Sequence, residues 1–260
     1  MEDIHQATSR LPPGTLVDGR FVLIKPLGVG GICEVYKAGN RDTGDIVAIK
    51  LPYYLSSPDR PTTTEIRALL AQEACILSSL RHPCIPQLRG FKLHGENIYL
   101  AMDYIQGVTL DQLLEHNLLP FHLAVWLGNK ICALVEFLHR QTPPVLHLDL
   151  KPGNIIINDG EVFLIDFGTA QWPGYTSLNI PRMGTLPYAP AEQQAGLSLD
   201  QRADVYALGY VLFDLLGDNV TPTLRRVLNR ATALLPWDRY PSVSSFRSAL
   251  NQVAEVGIGT

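Results

Sequence analysis

Apolar and polar positions alternate through the first hundred residues. Between 21 and 49 three short runs rich in β-branched and aromatic residues, FVLIK, EVYKA and DIVAIK, are separated by Gly30-Gly31 and Asp42-Thr43-Gly44, so three antiparallel strands are expected. From 64 to 80 the period changes, and Ile66, Leu69, Leu70, Ala74, Leu77 and Leu80 line one face of a helix. His82-Pro83 ends that helix, because a residue before proline is driven out of the helical region. Two more strand-like runs, 87–93 and 97–104, flank a turn at His94-Gly95-Glu96. After Gly107 the pattern becomes mostly helical, which divides the chain near Ile105. The expected organisation is α+β: a tail over 1–18, a lobe of five antiparallel strands and one helix over 19–104, a mainly helical lobe over 105–253, and a second tail over 254–260.

Composition narrows the partners. A length of 260 residues with 46% hydrophobic content can bury a large core. A net charge of -4 gives no general pull toward nucleic acid or an anionic membrane, and Arg225-Arg226 is an isolated basic pair, so neither partner is expected. Cys33, Cys75, Cys84 and Cys132 have no metal-binding spacing, and the N-terminus lacks a basic segment followed by an apolar one; reduced thiols in the cytoplasm are expected. The apolar run 205–216 is twelve residues long, with Asp204 and Asp214 close to its ends, and reads as a buried helix rather than a membrane span.

Candidate chemistry begins at Leu27-Gly28-Val29-Gly30-Gly31-Ile32-Cys33-Glu34-Val35, where glycines at a strand turn let backbone N–H groups approach phosphate oxygens. Such hairpins are also common as plain turns. Fifteen residues after Val35, Lys50 ends the strand Val47-Ala48-Ile49-Lys50, and Glu73 sits among apolar neighbours on the following helix. A strand lysine is usually a solvated charge and a helix glutamate a surface one, but after a phosphate-type loop an ion pair between them becomes the better reading. The most specific signal is His147-Leu148-Asp149-Leu150-Lys151-Pro152-Gly153-Asn154, followed twelve residues after Asn154 by Asp166-Phe167-Gly168. It spaces a base, a cation and two metal ligands as phosphoryl transfer from ATP requires.

With these motifs jointly in place, the chain resembles the eukaryotic-like (Hanks-type) serine/threonine protein kinases of bacteria from about residue 20 to about residue 253. The resemblance implies a bilobal kinase fold that binds ATP with Mg²⁺ or Mn²⁺ and acts on serine or threonine hydroxyls of a protein substrate. Asp149 would orient the substrate hydroxyl and accept its proton, Lys151 would neutralise the transferring phosphoryl group, and Asn154 and Asp166 would hold metal. Because a carboxylate is a weak base in water, positioning and electrostatics should supply most of the rate. Lys50, held by Glu73, would reach the α- and β-phosphates, with residues 27 to 35 covering them. Asp103 and Ile105 would meet the adenine edge through backbone groups, with Met102 behind them. Val35, Ala48 and Ile156 would enclose the purine. Leu77, Leu88, His147 and Phe167 match the family's apolar stack; Glu192 should pair with Arg239, and Asp204 should anchor the catalytic loop. Thr185 with Lys151 fits serine/threonine specificity.

Two positions and one link depart from the family pattern. Leu148 stands where an arginine often binds a phosphorylated loop residue, and leucine has no donor for phosphate, so activation without loop phosphorylation is expected even if Thr176 and Ser177 carry phosphate. Cys33 replaces a third glycine; this places a thiol near the phosphates, with a tolerated substitution favoured over a redox-sensitive loop. The link between Gly217 and the helix expected over 223–235 is short where relatives insert a docking region, which leaves room for a regulatory partner protein. Two other functions stay open. A pseudokinase scaffold would usually lack the lysine, base or metal aspartate, all present here, and a small-molecule phosphotransferase would rarely carry the whole motif set.

Overall fold

The computed structural model describes residues 11–52, 61–95, 98–116, 119–174 and 184–258. The chain forms two compact units, one from residues 1–81 and 86–105, the other from 82–85 and 106–260. The short piece 82–85 joins the second unit, whereas the sequence placed it in the sheet-rich lobe: Cys84 O accepts from Leu164 N at 3.1 Å, and the His82 ring lies 4.7 Å from that of Phe137.

In the first unit, β1 (Leu16–Val17), β2 (Phe21–Val29), β3 (Cys33–Asn40), β4 (Ile46–Pro52), β5 (Leu88–Lys92) and β6 (Tyr99–Asp103) form an antiparallel sheet in the order β1-β2-β3-β4-β6-β5. That is six strands rather than the expected five. The extra one lies in the segment read as a tail: Val17 pairs with Phe21, and Gly14 N donates to Leu23 O at 2.7 Å. Two residues are too few to display an alternation. The inner sheet face packs Phe21, Leu23, Tyr36, Ala38, Val47, Ile49, Leu51, Tyr99 and Ala101 together.

Helix α1 (Thr63–Ser79) starts at a capping box, in which Glu65 N donates to Thr62 Oγ1 at 3.3 Å and Thr62 N donates to Glu65 Oε2 at 2.7 Å. Its buried face is Ile66, Leu70, Glu73, Ala74, Ile76 and Leu77. Within the turn expected at 94–96, Glu96 lies outside the described residues.

The second unit contains β7 (Val108–Thr109), α2 (Leu110–His116), α3 (Phe121–His139), β8 (Ile155–Asn158), β9 (Glu161–Leu164), α4 (Ala191–Gln194), α5 (Arg202–Leu216), α6 (Pro222–Ala231) and α7 (Val243–Ile258). Strands β7, β8 and β9 make a small antiparallel sheet. Gly107 precedes it at φ 141°, where a Cβ would fall 2.5 Å from Ile157 O, so only glycine lets the chain enter so close to β8.

Helix α3 packs against α5 and α7 and buries Ala124, Leu127, Ile131, Cys132, Val135 and Leu138. Among the described residues it is the one helix long and apolar enough to cross a membrane, and those buried positions make it a core helix of this unit. The apolar run noted at 205–216 was therefore not the strongest candidate; Asn129, Lys130 and Glu136 break up the apolar sequence of α3 and hide its length.

Helix α6 ends at Ala231 instead of continuing to 235, because the chain beyond it turns its carbonyls onto the Arg239 guanidinium, with Ala233 O accepting at 2.8 Å and Leu234 O at 3.0 Å. A single 3-10 turn, Gly217–Asn219, lies in the short link between α5 and α6. Helix α7 runs to Ile258, into the stretch read as a tail.

Candidate active site

The first unit builds a buried cation. Lys50 lies on β4 opposite Val35 of β3 and Leu100 of β6. Its Nζ donates to both Glu73 oxygens, at 2.7 and 2.8 Å. Lys50 is 7% and Glu73 2% exposed, so each ion needs the other.

Leu27, Gly28, Val29, Gly30 and Gly31 are exposed and Ile32 is half-buried. Gly30 N donates to Cys33 O at 2.8 Å, closing the turn. Cys33 itself is buried, on a β3 position paired with Pro52, which weighs against an accessible thiol. Glu34 is buried too and accepts from Tyr36 Oη at 2.5 Å. Ala48 pairs with Met102 across β4 and β6, and both are buried. Asp103 N donates to Gln87 O at 3.0 Å, and Ile105 is half-buried just beyond β6.

The second unit assembles Asp149, Lys151, Asn154 and Thr185. Lys151 Nζ donates to Asp149 Oδ2 at 2.8 Å and to Thr185 Oγ1 at 2.9 Å, while Thr185 Oγ1 donates to Asp149 Oδ1 at 3.0 Å. Asn154 Nδ2 adds bonds to Asp149 O at 2.8 Å and Asp149 Oδ2 at 2.9 Å. This ring fixes the carboxylate and commits the amide nitrogen of Asn154 to Asp149, so only its oxygen could serve a cation. Asp166, at φ 61°, accepts from Gly168 N at 3.2 Å. Hard oxygen donors from Asn154 and Asp166 suit Mg²⁺ or Mn²⁺, which would take its remaining ligands from phosphate and water. Among the described residues no three His, Cys, Asp or Glu side chains form a metal cluster of their own. Ile156 is half-buried on β8.

Asp204, fully buried in the first turn of α5, holds the loop that carries Asp149. It accepts from His147 N and Leu148 N, each at 2.9 Å, and lies 2.8 Å from His139 Nε2. Burial alone would raise its pKa, but the hydrogen bond and charge of His139, with His147 and the Leu148 amide, hold it below the usual carboxylate value. For His147 burial wins over Asp204, Asp149 and Asp166, and its pKa is lowered. The His147 ring meets the Phe167 ring edge-on at 5.0 Å, and Thr169 Oγ1 donates to His147 O at 3.0 Å.

Leu148 adopts φ 64°, a left-handed conformation that costs a non-glycine residue about 1 to 2 kcal/mol. Its side chain is buried with Leu146 and Ala203 against Leu199. Leu148 is thus part of a small apolar core.

Glu192 on α4 forms a two-pronged pair with Arg239, at 2.5 and 2.9 Å. Sequence reasoning missed His139 and Gln193: a histidine ending a helix and a glutamine after the Pro190-Ala191-Glu192 stretch carry no spacing signal of their own.

Removing the hydroxyl in Thr185→Ala deletes one donor to Asp149 and one acceptor from Lys151. Phosphoryl transfer measured at saturating ATP should fall about tenfold while Thr185→Ser stays within threefold, on the scale of one hydrogen bond to a charged group; an alanine variant within threefold of wild type would separate Thr185 from the reaction.

The protein kinase domain family matches residues 21–231. Serine/threonine-protein kinase PknD of Chlamydia trachomatis is 28% identical over 298 residues, covering 89% of this chain and 31% of PknD. Serine/threonine-protein kinase pkn2 of Myxococcus xanthus is 28% identical over 258 residues, covering 93% of this chain and 30% of pkn2. Human serine/threonine-protein kinase ULK3 is 33% identical over 205 residues, covering 77% of this chain and 42% of ULK3. The chain thus spans less than half the length of each of these relatives.

Proposed function

The chain belongs to the protein kinase domain family, and from that premise we propose that it transfers the γ-phosphoryl group of ATP to serine or threonine hydroxyls of a protein, without needing a phosphorylated activation loop. The observation that carries the reading is the closed ring of Asp149, Lys151, Thr185 and Asn154. Asp149 accepts the hydrogen of the incoming hydroxyl and aligns its oxygen; Lys151, already 2.8 Å from that carboxylate, places positive charge where the transferring group gathers negative charge. Mg²⁺, when bound by Asn154 and Asp166, supplies neutralisation of phosphate charge. Lys50, fixed by two bonds to Glu73, is the cation for the α- and β-phosphates. Completeness of this set favours an enzyme over a scaffold, and Thr185 bonded to both Asp149 and Lys151 favours a serine or threonine hydroxyl.

The test is incubation with labelled ATP, Mg²⁺ and a bacterial lysate, with the Asp149→Ala chain as blank, followed by phosphosite mapping. Label on protein serine or threonine that is absent from the blank is expected. Label confined to small molecules would point to the phosphotransferase alternative, and ATP binding with no transfer to the scaffold.

The apolar surroundings of Leu148 support independence from loop phosphorylation, since they offer no donor for a phosphate. Thr176 and Ser177 lie outside the described residues. The double variant Thr176→Ala, Ser177→Ala should keep its kcat within tenfold of wild type; a larger loss would overturn this part of the reading. The abbreviated α5 to α6 link is consistent with regulation or docking through a partner protein.

A further inference from the structure

Leu148 is constrained at three points. Its N–H is bound by Asp204 Oδ1 at 2.9 Å, its side chain is packed with Leu146 and Ala203, and its carbonyl accepts from Gln193 Nε2 at 2.7 Å. That carbonyl belongs to the peptide bond leading into Asp149. Gln193 is 4% exposed and stands on α4, beside Glu192, whose carboxylate is locked to Arg239. The amide is therefore delivered from a rigid support. Gly184 leaves it the room it needs: a Cβ there would lie 2.8 Å from Gln193 Nε2 and 2.5 Å from Ala189 Cβ. The same short stretch that makes way for Gln193 carries Thr185 onto the Asp149 carboxylate at 3.0 Å.

We infer that Gln193 is a positioning residue for phosphoryl transfer: its side-chain amide fixes the rotation of the Leu148–Asp149 peptide, and so aims the Asp149 carboxylate, by a neutral hydrogen bond. The inference rests on the kinase reading above. A left-handed residue just before the base can relax toward the ordinary region unless the groups on both of its sides are tied. Asp204 ties the peptide before Leu148; in the peptide after it Gln193 holds the carbonyl at 2.7 Å, while the Asp149 N–H makes only a long bond to His147 Nδ1 at 3.4 Å. If the second tie is lost, the Asp149 backbone can rotate while Asp204, Lys151 and the fold around them stay in place. A misplacement of about 1 Å at the reacting group is enough for a hundredfold loss of rate. An amide delivered by the end of the activation segment thus orients the base without any phosphate.

The experiment compares wild type with Gln193→Met, which keeps volume and removes the donor. Transfer from labelled ATP to a basic generic protein substrate is measured at varied ATP, alongside calorimetric ATP stoichiometry and thermal melting. The expected result is a kcat lower by about tenfold to a hundredfold, with KM for ATP within twofold and one ATP bound per chain. If Gln193→Met does not bind ATP stoichiometrically, Gln193→Glu, which has the same shape without amide hydrogens, replaces it and should show the same split. A kcat within threefold of wild type in a variant that binds ATP fully overturns the inference and leaves the kinase reading intact. A raised KM with unchanged kcat overturns it as well, since that assigns Gln193 to binding. Absence of transfer by the wild-type chain overturns the kinase reading, and this inference with it.

Discussion

Asp149→Ala should lower kcat by about a hundredfold to ten-thousandfold, the span associated with removing a positioned acid–base group, and leave ATP affinity almost unchanged. The carboxylate accepts from Lys151 Nζ and Asn154 Nδ2 on one oxygen and from Thr185 Oγ1 on the other. Alanine removes both oxygens at once. The substrate hydroxyl then has no acceptor, and Lys151 loses the partner that holds its ammonium in place. Asp149→Asn should be nearly as damaging, because it removes the negative charge that pairs with Lys151, and its NH₂ group cannot take the place of Oδ2 against the Lys151 and Asn154 donors. Single-turnover transfer from labelled ATP, with ATP binding measured by calorimetry, separates the two quantities. A loss of less than tenfold in kcat for the alanine variant would mean that another group orients the hydroxyl.

Much of this site was legible in the sequence because its parts sit in short, contiguous strings. Asp149, Lys151 and Asn154 occupy six consecutive residues, 149 to 154, and a loop that tight leaves their side chains few ways to arrange themselves; they meet within 3 Å of one another through the Asp149 carboxylate. Glu73 was legible for a different reason, as a charge at a position where helical period demands an apolar residue, and its burial at 2% exposure shows why it needs Lys50. What the sequence withheld are groups whose roles depend on the path of the chain. Gln193 reaches Leu148 across 45 residues and His139 reaches Asp204 across 65, distances over which no local pattern operates. Leu148 is the intermediate case. Its lack of a phosphate donor is visible in one letter, while its left-handed backbone and its apolar neighbours Leu146, Ala203 and Leu199 are visible only in the folded unit. Strand β1 escaped for a simpler reason, since a two-residue strand is recognisable only by its partners Phe21 and Val22.

Arg239→Met is expected to cost about 3 to 5 kcal/mol, the range for breaking a buried ion pair by removing one partner, and to lower the melting temperature by about 6 to 20 °C at 2 to 4 °C per kcal/mol. Arg239 is 2% exposed. Its guanidinium donates to both Glu192 oxygens, to Ala233 O at 2.8 Å, to Arg202 O at 3.1 Å and to Leu234 O at 3.0 Å, and it lies 4.7 Å from the centre of the Tyr206 ring. Glu192 would be left as a buried carboxylate without its counter-ion, and three backbone carbonyls would lose a donor. Lysine keeps the charge but cannot span five acceptors with one ammonium, so Arg239→Lys should recover less than half of the loss. The carbonyls distinguish this pair from one that could be replaced by hydrophobic residues at no net cost. With Glu192→Leu added to Arg239→Met, the stranded charge is gone but Ala233, Arg202 and Leu234 still lack their partner, and the double variant should remain less stable than wild type by at least about 1 to 3 kcal/mol, the cost of leaving buried acceptors unsatisfied. Thermal and urea denaturation of the three variants checks the order. A double variant as stable as wild type would mean that the carbonyls find other donors and that the ion pair alone sets the energy of this corner of the fold.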